Sequence, residues 1–238
     1  MKRLEMRRAV RNRAEPPPVL AELSGLGAGA EDGAPLDFGG PQIEGFSSIF
    51  EDLGVAGAGL VVLTAVAGCV PDARIAIGMA TTAAVRGAST VIIDTDLERR
   101  ALAPALRLEP APGLAEYVAG EAEARDVLQV VELAGEQVQR GSRIACVCAG
   151  ARPAAAEDPS ILSQVDHVLG RLRRAYDVAV VLGPALDLPV GEWLIDRADA
   201  VLVVADRRSR GRRGRTRRAA ASSLLRERRA GLLMVVAD

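Results

Sequence analysis

LVVLTAVAGCVPDARIAIGMATTAAVRGASTVIIDTDLER, residues 60–99, is the stretch from which the fold is read. It opens on the apolar run Leu60-Val61-Val62-Leu63 and reaches Val91-Ile92-Ile93 just before Asp94. Apolar runs without polar alternation belong in a parallel sheet covered on both faces. Between the two runs, residues 73–86 are compatible with a helix. The stretch therefore reads as one strand–helix–strand unit.

Outward from this unit the pattern recurs. Ile144–Cys148, Val178–Leu182, Ala200–Ala205 and Leu232–Val236 are further apolar runs, and 114–119, 160–174 and 216–229 are helix-compatible. Upstream, QIEGFSSIFEDL (42–53) carries Ile43, Phe46, Ile49, Phe50 and Leu53 at helical spacing. Strands alternating with helices predict an α/β fold with a doubly wound, mainly parallel sheet. Residues 1–38 open basic, pass Pro16-Pro17-Pro18 and turn Gly/Ala-rich and acidic. They are expected to form a poorly ordered arm before a single domain over 39–238.

Composition narrows the options. The chain has 238 residues, 49% of them apolar, which is ample for one α/β core. No window approaches the about 18 uninterrupted apolar residues of a membrane span. The basic N-terminus has no apolar segment behind it, so no signal peptide is expected and the cytoplasm is the expected compartment. The three cysteines, Cys69, Cys146 and Cys148, argue against a disulfide framework. The only histidine, His167, lies in a separate helical segment, so the cysteines are read as small buried apolar residues rather than metal ligands. Lys2 is the only lysine.

From residue 42 onward the chain resembles the bacterial tyrosine kinases of capsule and exopolysaccharide synthesis, within the P-loop ATPase group that also holds ParA and MinD proteins. QIEGFSSIFEDL is similar to the family's helix E-A-Y-R-x-L-R-T-N-L, and LVVLTA with VIIDTDLER to its P-loop strand and Asp-rich second motif. Pro112-Gly113-Leu114 with Val118-Ala119-Gly120-Glu121 resembles P-G-L-s-d-v-L-x-G-E. Gly150 through Leu162 resembles G-x-x-p-x-N-P-x-e-L-L, and Tyr176-Asp177-Val178-Ala179-Val180-Val181 the strand F-D-x-V-I-I. The resemblance implies a P-loop NTPase-like fold and, in a working member, ATP with Mg²⁺.

The residues that would do that work are changed. The family's T-S-x-x-P-G-E-G-K-S-T falls on Thr64 through Arg74, which reads T-A-V-A-G-C-V-P-D-A-R. A P-loop holds phosphate with backbone N–H groups and one lysine, and the next hydroxyl binds Mg²⁺. Here Asp72 stands at the lysine position, Ala73 and Arg74 at the hydroxyl positions, and Cys69 and Pro71 at the turn glycines, while Gly68 is the one glycine left in the turn. A carboxylate repels phosphate, proline lacks the N–H, and alanine has no oxygen for a metal. The Walker B aspartate position is Leu182. Asp94 and Asp96 remain in the family's D-x-D arrangement, with Glu98 where an arginine is expected. They are read either as a residual Mg²⁺ site or, with greater weight, as caps of the strand-to-helix turn. No cofactor is expected.

Two accessory features differ as well. The assembly helix E-x-x-R-x-x-R falls on Glu44, Ser47 and Phe50, which keeps the acid and loses both arginines. Tyr117 and Tyr176 are the only tyrosines, so no tyrosine-rich tail is expected. In contrast, Arg207, Arg208, Arg210, Arg212, Arg213, Arg215, Arg217 and Arg218 crowd one segment. Such crowding suits an anionic partner: acidic protein, an anionic leaflet, or duplex DNA held by its backbone. Three functions follow as expectations. The first is a non-catalytic kinase-like subunit docking on a protein, as family members dock on a membrane-bound polysaccharide chain-length regulator. The second is a ParA-like protein binding DNA or another anionic surface, and the third an active kinase with an atypical site.

Overall fold

A strand that points apolar side chains to both sides needs cover on both sides, and the chain supplies it. The computed structural model describes residues 19–24, 40–52, 59–66, 69, 71–133, 142–152, 159–206 and 230–236. In chain order these form β1 (Val19–Ser24), α1 (Gly40–Asp52), β2 (Gly59–Ala65), α2 (Ala73–Val85), β3 (Thr90–Asp94), α3 (Leu102–Leu106), α4 (Leu114–Val118) and α5 (Ala124–Val127). There follow β4 (Leu128–Glu132), β5 (Arg143–Val147), α6 (Pro159–Ala175), β6 (Val178–Leu182), α7 (Pro189–Arg197), β7 (Ala200–Asp206) and β8 (Ala230–Val236).

The strands make one sheet in the order β1-β8-β7-β2-β6-β3-β5-β4. Neighbours are parallel except β4 and β5, which are antiparallel. This is the doubly wound, mainly parallel α/β sheet expected. Alternation along β2 assigns its side chains to two layers. Leu60 and Val62 pack with Val91, Ile93 and Val181 beneath α4, α6 and α7. Val61 and Leu63 pack with Ile92 and Val180 beneath α1 and α2. Each such side chain, buried completely, contributes roughly 1.5–3 kcal/mol relative to exposure.

Helix α1 is held to α2 by a close approach. Phe46 and Ile49 are buried in the second layer, and a Cβ built on Gly78 of α2 would lie 2.2 Å from the Phe46 ring. Glycine within a helix costs about 1 kcal/mol relative to alanine. Here it leaves the space that the ring fills.

The predicted apolar runs all lie in strands of this sheet, and the predicted helices at 42–53, 73–86, 114–119 and 160–174 correspond to α1, α2, α4 and α6. The one predicted over 216–229 lies outside the described residues. The reading of 1–38 as a poorly ordered arm is corrected at Val19–Ser24, which form β1 and extend the sheet by pairing with β8. Strand β4 was not expected from sequence: it is a half-buried edge strand whose LQVVE text lacks the continuous apolar run of the central strands. No helix among the described residues is long and apolar enough to cross a membrane.

Candidate functional site

In open α/β sheets, sites form at the carboxyl ends of parallel strands. Here the exits of β2, β3 and β6 are tied to one another. Gly183 N–H donates to Leu63 O at 2.9 Å, Leu186 N–H to Ala65 O at 3.0 Å and Thr95 N–H to Leu182 O at 2.9 Å. The Thr64 hydroxyl donates to Pro184 O at 2.6 Å. Thus Thr64, Asp94 and Leu182, far apart in sequence, share one end of the sheet, and Asp94 is the register partner of Leu182.

The turn from β2 into α2 ends on a carboxylate that caps the helix. Asp72 is the N-cap, and its Oδ1 accepts the Arg74 N–H at 2.9 Å. Arg74 folds back on it: Nε lies 3.0 Å from each carboxylate oxygen and Nη2 lies 2.5 Å from Oδ2. An anion is favoured there, because free N–H groups and the helix dipole make the N-terminus positive. The hydrogen bond to Asp72 raises the Arg74 pKa above its ordinary value, against the effect of burial, and the charge of Asp72 adds to the rise. The place where a strand–turn–helix would receive phosphate thus carries the chain's own acid. Pro71 and Ala73 are buried beside it, and Cys69 is half-buried with its N–H on Val66 O at 2.9 Å. Gly68 lies outside the described residues.

Asp94 and Asp96 face inward to backbone. Asp94 is fully buried and accepts N–H bonds from Asp96 and Leu102, each at 3.0 Å. Asp96 accepts from the Arg99 N–H at 3.1 Å and pairs with its guanidinium at 3.5 Å. Both carboxylates therefore do what caps do: they close the turn between β3 and α3. Among the described residues no group of three or more His, Cys, Asp or Glu side chains could hold a metal ion.

Burial pushes the Asp94 pKa up to about 6, against the pull of its backbone donors and with a small addition from Asp96. The ordinary value is 3.8, so the folded state holds this proton over a range where the unfolded chain has released it. The sign follows: this group favours folding most at acid pH, and its contribution falls as pH rises from about 4 to about 6. Asp94→Asn should remove that fall, worth about 3 kcal/mol across the window. Urea unfolding of both proteins from pH 4 to pH 7 checks it; parallel stability curves would refute the assignment.

Two of the three cysteines are buried as expected, and Cys69 is only half-buried. Cys146 and Cys148 are fully buried, and burial raises their thiols to about 12 and about 11, aided by Cys148 and Asp94 respectively. In α1, Phe50 is buried in the chain's own core and Ser47 is half-buried, so the second arginine position of the assembly motif has become a packing residue. Glu44 lies in α1, with only its backbone described. The arginine segment, Arg207 to Arg218, lies outside the described residues.

One organising residue escaped the sequence reading. Glu116 accepts N–H bonds from Gly113 at 2.7 Å, Ala151 at 2.9 Å and Arg152 at 2.7 Å, joining the start of α4 to the loop after β5. The local signal was present, because glutamate three residues after an N-cap is the capping-box spacing.

No protein-family model matches the sequence, and no curated protein matches it. Solved structures do. The chimerical protein CapA2B2 superposes with a TM-score of 0.69 at 14% identity, covering 92% of this chain and 94% of that one. The kinase domain of the Escherichia coli tyrosine kinase ETK gives 0.62 at 16%, covering 82% and 76%. The septum site-determining protein MinD of Pyrococcus horikoshii, complexed with Mg-ADP, gives 0.55 at 14%, covering 73% and 67%. These superpositions show the fold: an α/β P-loop NTPase-like sheet of the kind found in bacterial tyrosine kinase domains and MinD.

Proposed function

We propose that this chain, which has the fold of bacterial tyrosine kinase domains, is a non-catalytic relative of them that works by docking. The observation that carries the reading is the Asp72–Arg74 pair on the N-terminus of α2. Nucleotide phosphates would meet a carboxylate already hydrogen-bonded to the helix end, and Arg74 is committed to that carboxylate. The lysine that would attract the phosphates is absent, because Lys2 stands in the N-terminal segment. The residues present do not fit ATP and Mg²⁺: Leu182 offers no oxygen from its side chain, and the Asp94 and Asp96 carboxylates are engaged with backbone donors.

The docking role and a place in capsule or exopolysaccharide synthesis rest on the sequence resemblance. They imply a membrane-bound chain-length regulator as partner and a cytoplasmic chain held at the membrane through it. The deciding experiment is calorimetric titration of the full chain with ATP and with ADP, each with Mg²⁺. Neither heat nor a thermal shift is expected at millimolar nucleotide. Micromolar binding would overturn the reading and make an active kinase with an atypical site the leading one.

A further inference from the structure

We infer that the cleft between α4, α5, β4, β5 and α6 binds a small apolar acid, one aromatic ring or short alkyl chain bearing a single carboxylate. This goes beyond the docking role and does not depend on it, since the cleft is built from a different set of residues. Leu114, Val127, Leu128, Val147, Val168 and Leu172 surround a half-enclosed cavity of about 220 Å³. Val168 and Leu172 are one helical turn apart, so α6 presents them together as one wall. An apolar cavity of roughly 150 Å³ suffices for benzene, whereas drug-sized ligands take about 300 Å³ or more. The space therefore suits a ring or a short chain with little beyond it.

Two polar side chains of the lining meet. Arg171 Nη1 donates to the Tyr117 hydroxyl at 2.9 Å, and both residues line the cleft. Among the described residues no carboxylate pairs with Arg171. Its neighbours differ: Arg173 is paired with Asp199 at 2.8 Å, and Arg197 with Asp166. An exposed, uncompensated guanidinium beside an apolar cavity selects a ligand with an apolar body and one negative end. The tyrosine orients the guanidinium and leaves its other N–H groups for a carboxylate.

The test uses the full chain, isotope-labelled, titrated at neutral pH with phenylacetate and with hexanoate. The neutral isosteres phenylacetamide and hexanamide serve as the comparison. Both acids should give saturable amide shifts centred on Leu114, Val127 and Val168, with millimolar or tighter affinity. The neutral isosteres should bind about tenfold more weakly. Arg171→Met, an exposed position whose fold is checked by circular dichroism, should bring acid and amide to equal affinity. The inference is overturned by no saturable shift, by shifts confined to other regions, by equal affinity of acid and amide for the native chain, or by an acid preference that survives Arg171→Met.

Discussion

Gly113→Ala is expected to lower the melting temperature by about 10 °C. Helix α4 begins with its first N–H groups on backbone carbonyls that leave β5: Leu114 donates to Cys148 O at 2.8 Å and Ala115 to Ala149 O at 2.9 Å. A Cβ on Gly113 would lie 2.4 Å from Gly150 N, 2.5 Å from Cys148 O and 2.7 Å from Gly150 Cα. All three are backbone atoms, so no rotamer change relieves the contact. The two segments must separate, and both hydrogen bonds weaken as they do. Overpacking costs about 1–3 kcal/mol and each lost bond about 1 kcal/mol. Gly45→Ala is the control: nothing lies within 4 Å of its Cβ, and alanine in α1 should leave the protein unchanged or stabilise it by up to about 1 kcal/mol. Differential scanning calorimetry decides, and a Gly113→Ala protein melting within a degree or two of the parent would refute the close-approach account.

The second large effect is at Glu116, whose carboxylate takes three backbone N–H groups from two segments. Glutamine keeps one accepting oxygen and turns an NH₂ toward the remaining donors, so the Gly113 N–H or the exposed N–H groups of Ala151 and Arg152 lose their partner. Glu116→Gln should cost about 3 kcal/mol at neutral pH, charge-assisted bonds being the stronger kind. Hydrogen exchange should also speed up at Ala151 and Arg152. Burial pushes the Glu116 pKa up, but the backbone donors, Gly113 first and then Arg152, outweigh it and hold the group below its ordinary 4.5. For a lowered carboxylate the stabilisation is complete above the unfolded value of 4.5 and is lost as pH falls through the folded one. The slope is opposite to that of Asp94. Acid denaturation of the two variants should therefore separate them: Glu116→Gln flattens the acid limb, and Asp94→Asn removes the decline between about pH 4 and 6. An acid limb in Glu116→Gln that keeps the parent's slope would rule out this role.

The carboxylates also show why the caps were harder to read than the strands. Asp94 could be assigned to a turn from its place after an apolar run, but its burial depends on β6 lying beside β3 and on the cover of α3. Glu116 carries a local capping signal, yet two of its three donors come from Ala151 and Arg152. No local spacing announces a partner across that distance. The same holds for Arg171, an ordinary helix-surface arginine until α4 brings Tyr117 to it.

By itself the amino-acid sequence marked the central strands, the helices α1, α2, α4 and α6, and the want of a lysine in the turn after β2. Continuous apolar runs mark strands buried on both faces because nothing polar could be left there without partners. A chain whose only lysine is Lys2 cannot place an ammonium at the end of β2 unless its N-terminal segment reaches there. The tertiary structure alone decided the strand order and the edges β1 and β4. It also decided the cleft beside α6. Those features depend on which distant segments share space, and helical or strand periodicity records only which face of an element is covered, never by what.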